Sequence, residues 1–178
     1  MWRRAMVRGM AAGLVGVVAM TAVEKLEQSC TGRPNSHVPG RTLERLLGLR
    51  EGAGRRSGSL NLAMHAGQGA LLGGVRGIMA ASGLRGPWAS AMFFNLRLTN
   101  DQILENATGV GAPPWTWPRD ELVIDLAHKA VYAFTTGAVA DRLVAGLGPG
   151  PGRAHAMIRP GRRTGVGPPP AGPVLRRS

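Results

Sequence analysis

Apolar residues of this chain gather into long stretches of Gly, Ala, Val, Leu and Met, interrupted at a few positions by polar or charged side chains. The clearest runs from Leu60 to Ser82 and holds Gly67, Gly69, Gly73, Gly74 and Gly77 together with His65 and Arg76. A water-soluble helix rarely tolerates so many glycines, because each costs about 1 kcal/mol relative to Ala. Packed membrane helices use small residues to bring backbones together. The pattern therefore predicts an all-α membrane helical bundle of about four Gly/Ala-rich helices, of which two or three span fully.

Along the chain, Met10 to Val23 is free of charge, and extended back to Ala5 the stretch reaches 19 residues. At the helical rise that is roughly 28 Å, about one bilayer core. Gly9, Gly13 and Gly16 share a face and contain a small-xxx-small spacing, and Gly69, Gly73 and Gly77 repeat that spacing later. An Arg-rich start followed by an apolar middle also fits a secretory signal, but no A-x-A cleavage site follows, which favours an uncleaved helix. Glu24 to Gln28 continues this helix into water, and Pro34 and Pro39 break the chain. Thr42 to Leu49 reads as a short amphipathic helix, with Leu43, Leu46 and Leu47 on one face and Glu44 and Arg45 on the other. Gly52 to Ser59 reads as a linker.

Pro87 starts a third apolar helix that ends near Leu98, too short to span cleanly. Thr99 or Asn100 caps a separate helix ending near Gly109. Trp115 and Trp117 in the following turn suit an interface. Asp120 to about Leu147 forms the last helix. The residues group as a membrane domain over 1–147 and a disordered Gly/Pro/Arg-rich tail over 148–178, whose composition cannot offset its ordering entropy.

Two halves share an order of parts: Ala19-Met20, two prolines, then His65 and Gly74; and Ala91-Met92, two prolines, then His128 and Gly137. Each half reads as a helical hairpin, one repeated unit of the kind common in membrane bundles.

Composition changes this picture little. The net charge of +12 comes from 22 basic residues, 20 of them Arg, many near the two ends. Basic flanks beside apolar segments mark cytoplasmic loops, and an even number of spans puts both basic termini there. The charge does not point to specific nucleic-acid binding, because the Arg-rich tail lacks aromatic residues for base stacking. The tail suits contact with anionic lipid. Cys30 is the single cysteine, so an intramolecular disulfide and a Cys-rich metal site are both excluded.

Asp125, His128, Lys129 and Tyr132 recur at i, i+3, i+4 and i+7 and so share a helical face. Ionisable groups in membrane segments usually face a bundle interior. One reading is a polar or proton-handling cluster joined by His65, Arg76 and Asp101; the other is interfacial pairing of Asp125 with Lys129. Arg97, Asp101 and Glu105 read as a charge-paired, solvated face. His65 and His128 also permit axial ligation of one haem. No Walker loop, Rossmann fingerprint, H-E-x-x-H or nucleophile elbow is present.

Gly9-Met10-Ala11-Ala12-Gly13, Ala19-Met20 and the helix from His65 through Gly74 resemble YagU-like small bacterial inner-membrane proteins, over residues 8 to 145. The resemblance implies a multi-pass protein of the cell membrane with an undefined role, linked to envelope stress or acid tolerance, and carries over no catalytic residue. The expectation is a non-enzymatic structural or solute-associated envelope component, with no cofactor, the lipid bilayer as partner and glycine faces that allow a homo-oligomer. The alternatives are a haem-binding electron-transfer subunit and a soluble all-α binding protein.

Overall fold

The computed structural model describes residues 1–49 and 55–148, together with Gly150, Pro151, Ala154 and Met157. Among the described residues the secondary structure is helical throughout, with no strand. Four long helices, α1 (Trp2–Thr31), α3 (Arg55–Ser82), α4 (Gly86–Ala107) and α5 (Arg119–Ala145), are joined by the short α2 (Val38–Leu46) and by a 3-10 turn at Pro114–Thr116. At 1.5 Å per residue the long helices measure roughly 33 to 45 Å.

The contacts fix their directions. Ala5, Gly9 and Gly13 of α1 meet Gly77, Gly73 and Gly69 of α3 in reverse order. Arg8 donates to the Leu143 carbonyl of α5 at 2.7 Å, while Gly16 lies against Tyr132 and Thr136. Helices α3 and α5 therefore run antiparallel to α1, and α4 runs parallel to it. Helix α1 packs most extensively of all, on both α3 and α5; α4 leans on α5 and touches α3 little. The two expected hairpins, α1 with α3 and α4 with α5, both form. Their symmetry is incomplete, because α1 is clasped by both antiparallel helices and α4 by one.

The α1/α3 crossing is a backbone contact. A Cβ added at Gly73 would stand 2.6 Å from the Gly13 Cα, and one added at Gly9 would stand 2.7 Å from the Gly77 Cα. Only glycine permits this approach, which gains dispersion and Cα–H···O contacts along both chains. Gly69 and Gly16 extend the contact toward Val17, Tyr132 and Thr136. Past this zone α1 ends at Gly32, whose φ of 72° lets its N–H reach the Gln28 carbonyl.

Several expectations are corrected. A single continuous α4 replaces the helix ending at Leu98 and its separately capped successor. Neither Thr99 nor Asn100 caps anything, and Arg97 and Asp101 pair across the expected break at i,i+4. Helix α3 begins at Arg55, so the latter part of the expected linker is helical, while positions 52–54 lie outside the described residues. Helix α2 covers Val38–Leu46 rather than 42–49; Thr42 and Glu44 are buried against the bundle, and Arg45, Leu46, Leu47 and the following Leu49 are exposed. The bundle offers it a polar partner, with Asn61 accepting from the Gly40 N–H at 3.0 Å. The expected disordered tail lies mostly outside the described residues; Gly150 is buried against the Ala81 carbonyl at the end of α3.

Among the described residues only α1 is long and apolar enough to cross a membrane by length and composition. The two or three full spans expected are not met by that measure. Glycine dilutes α3, and α4 and α5 carry Arg97, Asp101, Asp125 and Lys129.

Replacing Gly73 by Leu forces apart two backbones that cannot yield, and the expected loss is roughly 1–3 kcal/mol or more. Gly67 is exposed on α3 with nothing within 4 Å of an added Cβ among the described residues. Gly67→Ala is expected instead to raise stability by up to about 1 kcal/mol, the helix-propensity difference. Thermal unfolding midpoints of the purified variants check both signs.

Candidate functional site

The end of the bundle opposite the N-terminus encloses a cavity of about 650 Å³. Its walls come from the C-terminal halves of α1 and α4 and the N-terminal halves of α3 and α5. The segment from Arg33 into α2 and the loop through Trp117 form its rim. Trp117 is held there by its indole N–H, which donates to the Ala112 carbonyl at 2.7 Å. Near the rim Glu27 accepts from Arg33 Nη2 at 2.9 Å and from the Thr31 hydroxyl at 2.7 Å. These hydrogen bonds, Arg33 first, hold the Glu27 carboxyl below its ordinary value, and the same contact raises that of Arg33. What the pair contributes is present at neutral pH and lost as the carboxylate protonates in acid.

At the inner wall stands a buried ion network. Asp101 Oδ2 lies 3.0 Å from Arg97 Nε and 3.4 Å from Lys129 Nζ, and its Oδ1 accepts from Gln68 Nε2 at 2.6 Å. Lys129 also meets both carboxylate oxygens of Asp125 at 2.6 Å. Asp101 and Arg97 are each 4% exposed and Lys129 5%. Two cations and two anions leave the network formally neutral, which is how a low-dielectric interior tolerates charge. The Arg97 guanidinium also lies 5.0 Å from the centre of the Tyr132 ring, a cation–π arrangement. Tyr132 donates its hydroxyl to the Gly69 carbonyl at 2.7 Å. That carbonyl is reachable because Gly69 has no side chain.

Not every charge here is matched. Arg97 Nη1 is buried with no hydrogen-bond partner among the described residues, and His65 Nδ1 is likewise unpartnered. The Arg97 Nε contact is short enough for an ion pair but off hydrogen-bond alignment. Glu105, one turn beyond Asp101, lines the cavity beside Gly111.

The expected polar residues separate into two groups. His65, Asp101, Asp125, His128 and Lys129 all line the cavity, and Tyr132 lies behind it under Arg97. Arg76 belongs to the opposite end. It is fully buried, with Nη2 2.9 Å from Asp141 Oδ1 and Nη1 donating to the Leu84 carbonyl at 3.3 Å. Asp141 in turn accepts from the Gly86 N–H at 2.8 Å, tying the α3/α4 turn to α5. Arg97, expected on a solvated face, is instead a central member of the buried network. The i,i+4 spacing to Asp101 was visible; the direction of that face was not. Gln68 and Glu24 line the cavity too, and only their place on the faces of His65 and Met20 marks them in the sequence. Among the described residues no group of three or more His, Cys, Asp or Glu is arranged to hold a metal ion.

The chain matches no protein-family model, and no curated protein or solved structure is significantly similar to it. The likeness to YagU-like proteins rests on the helix pattern alone.

Replacing Asp101 by Ala leaves Lys129 its pair with Asp125 but takes from Arg97 the ion pair that it makes among the described residues. The expected loss of stability is about 3–5 kcal/mol, the range for breaking a buried ion pair from one side. Unfolding followed by circular dichroism checks it, with the half-exposed Asp125→Ala expected to cost clearly less.

Proposed function

We propose that the protein is a small, non-enzymatic integral membrane component whose four long helices cross the bilayer together and whose cavity opens at one membrane face to hold a small polar solute. The observation that carries this reading is inverted polarity. Arg76 and Thr136 are wholly buried and Arg97, Asp101 and Lys129 nearly so, whereas Val7, Val18, Leu71, Val75, Met92 and Phe134 are exposed around the outside. Water would drive the opposite arrangement, because burying charge costs free energy and burying Val or Leu releases it. Hydrocarbon reverses the preference, and ionisable side chains in membrane helices turn inward and pair.

Two further features support it. The four tryptophans flank the apolar belt, with Trp2 and Trp88 at one end and Trp115 and Trp117 at the other, where interfacial anchors sit. Charge is also sided. Arg3, Arg4, Arg8, Arg85 and Arg142 lie at the end holding the N-terminus, whose one acidic residue among those described is Asp141. The cavity end mixes Glu24, Glu27, Glu44, Asp120 and Glu121 with its arginines. The excess of positive charge supports an orientation with the N-terminal end in the cytoplasm and the cavity outside. A cleaved leader would remove α1, the helix clasped by both α3 and α5.

Membrane fractionation tests this reading. The full-length chain is expected to stay in the pellet through alkaline carbonate and to need detergent for release; recovery of folded protein in the aqueous supernatant overturns it. Orientation has a built-in reporter, because the single cysteine, Cys30, is exposed at the cavity end. A membrane-impermeant maleimide is expected to label Cys30 in intact spheroplasts. Labelling only after lysis reverses the orientation.

A further inference from the structure

Resting on the reading of the cavity as a solute site, we infer that its ligand is a zwitterion: one small molecule carrying an oxo-acid group and an ammonium group. Three observations lead there. The first is a free guanidinium N–H. Asp101 does not take it up, since one of its oxygens accepts from Gln68 and the other meets Arg97 Nε and Lys129. Arg97 is almost entirely buried and lines the cavity, yet its Nη1 has no acceptor among the described residues. A buried donor left unmade is costly, and a guanidinium fork suits a carboxylate or phosphate oxygen. His65, on the same wall, has its own free ring nitrogen.

The second observation is an excess of negative charge. Of the cavity-lining carboxylates, Asp101 and Asp125 are matched by Arg97 and Lys129, while Arg33 is engaged by Glu27. Glu24, Glu105 and Glu121 remain on the lining without an ion pair among the described residues. A purely anionic ligand would meet these carboxylates, and a purely cationic one would leave the Arg97 N–H without an acceptor.

The third observation is placement. Arg97 and Glu105 line the same cavity from α4, two turns apart, so one small molecule can present its acid group to the first and its ammonium group to the second. The cavity of about 650 Å³ leaves room for a substituent between the two groups and for water. Free amino acids and the ethanolamine phosphate headgroup of a lipid share this chemistry.

The full-length protein is titrated with matched probes, in detergent or in plain buffer as its fractionation dictates, with unfolding midpoint and calorimetry as readouts. One set is free alanine, propionate and ethylamine. The other is glycerophosphoethanolamine, glycerol phosphate and ethanolamine. Binding of alanine or of glycerophosphoethanolamine, with neither fragment of that set binding comparably, supports a zwitterion site. The set that responds identifies an amino acid or a lipid headgroup as the source. Equal binding of an acid fragment or an amine fragment overturns the inference, and so does the absence of binding by every probe. Glu105→Gln provides the second arm. Its carboxylate makes no ion pair or side-chain hydrogen bond among the described residues, so the unfolding midpoint should hold. Affinity for the zwitterion should fall roughly tenfold or more, the loss expected for one hydrogen bond to a charged group. Unchanged affinity in that variant overturns the assignment of the ammonium end. Because fractionation is read separately, a water-soluble protein that binds zwitterions and a membrane protein that does not are distinguishable results.

Discussion

Where α1 crosses α3, two peptide backbones touch with no side chain between them, and the positions of the remaining helices follow from that contact. Gly9 and Gly13 against Gly69, Gly73 and Gly77 fix the axial stagger of the pair. The bare carbonyl of Gly69 then becomes an acceptor for the Tyr132 hydroxyl, which sets the height of α5. The Tyr132 ring supports the Arg97 guanidinium of α4, and Arg97 meets Asp101 in the cavity wall. A stripe of residues without side chains is thus connected, through one phenol, to the charged network some turns away. Widening the crossing by one methyl group would be felt along the whole series.

The two polar centres solve the same problem differently. At the cavity end four ionised groups neutralise one another while water or a ligand can reach them from the rim. At the other end Arg76 is sealed completely, held by one carboxylate and a carbonyl. Neither arrangement is needed to make a stable helical bundle, since apolar residues of similar size often serve as well or better. The first lines a cavity. The second is arranged as a fastening, joining the turn at Gly86 to α5 through Asp141.

Much of this was legible in the residues, and the failures have a common cause. Small-residue spacing on α1 and α3 identified the crossing, because few other reasons put a glycine every fourth residue in a helix. The run from Asp125 to Tyr132 identified one wall of the cavity, because i, i+3, i+4 and i+7 share a face in any helix. Which way a polar face turns was not legible. Arg97 reads as solvated on the assumption that charge faces water, and it is buried, as is Glu44 on the polar face of α2. Arg76 and His65 both read as partners of the Asp125 face from a neighbouring helix, yet eleven residues of α3 separate them, roughly 16 Å along the axis. Helix α4 was split at a run of polar residues that point inward rather than mark an end. Average hydropathy goes astray for the same reason, since it counts inward and outward side chains alike.

The sealed Arg76 has a consequence for biogenesis. Its counter-ion, Asp141, lies 65 positions downstream and two helices later. During synthesis α3 is therefore complete well before its counter-ion exists, and Arg76 has no carboxylate to seal it until α5 arrives. A chain ending before Asp141 would hold that guanidinium unpaired, a cost that keeps this end of α3 from closing early.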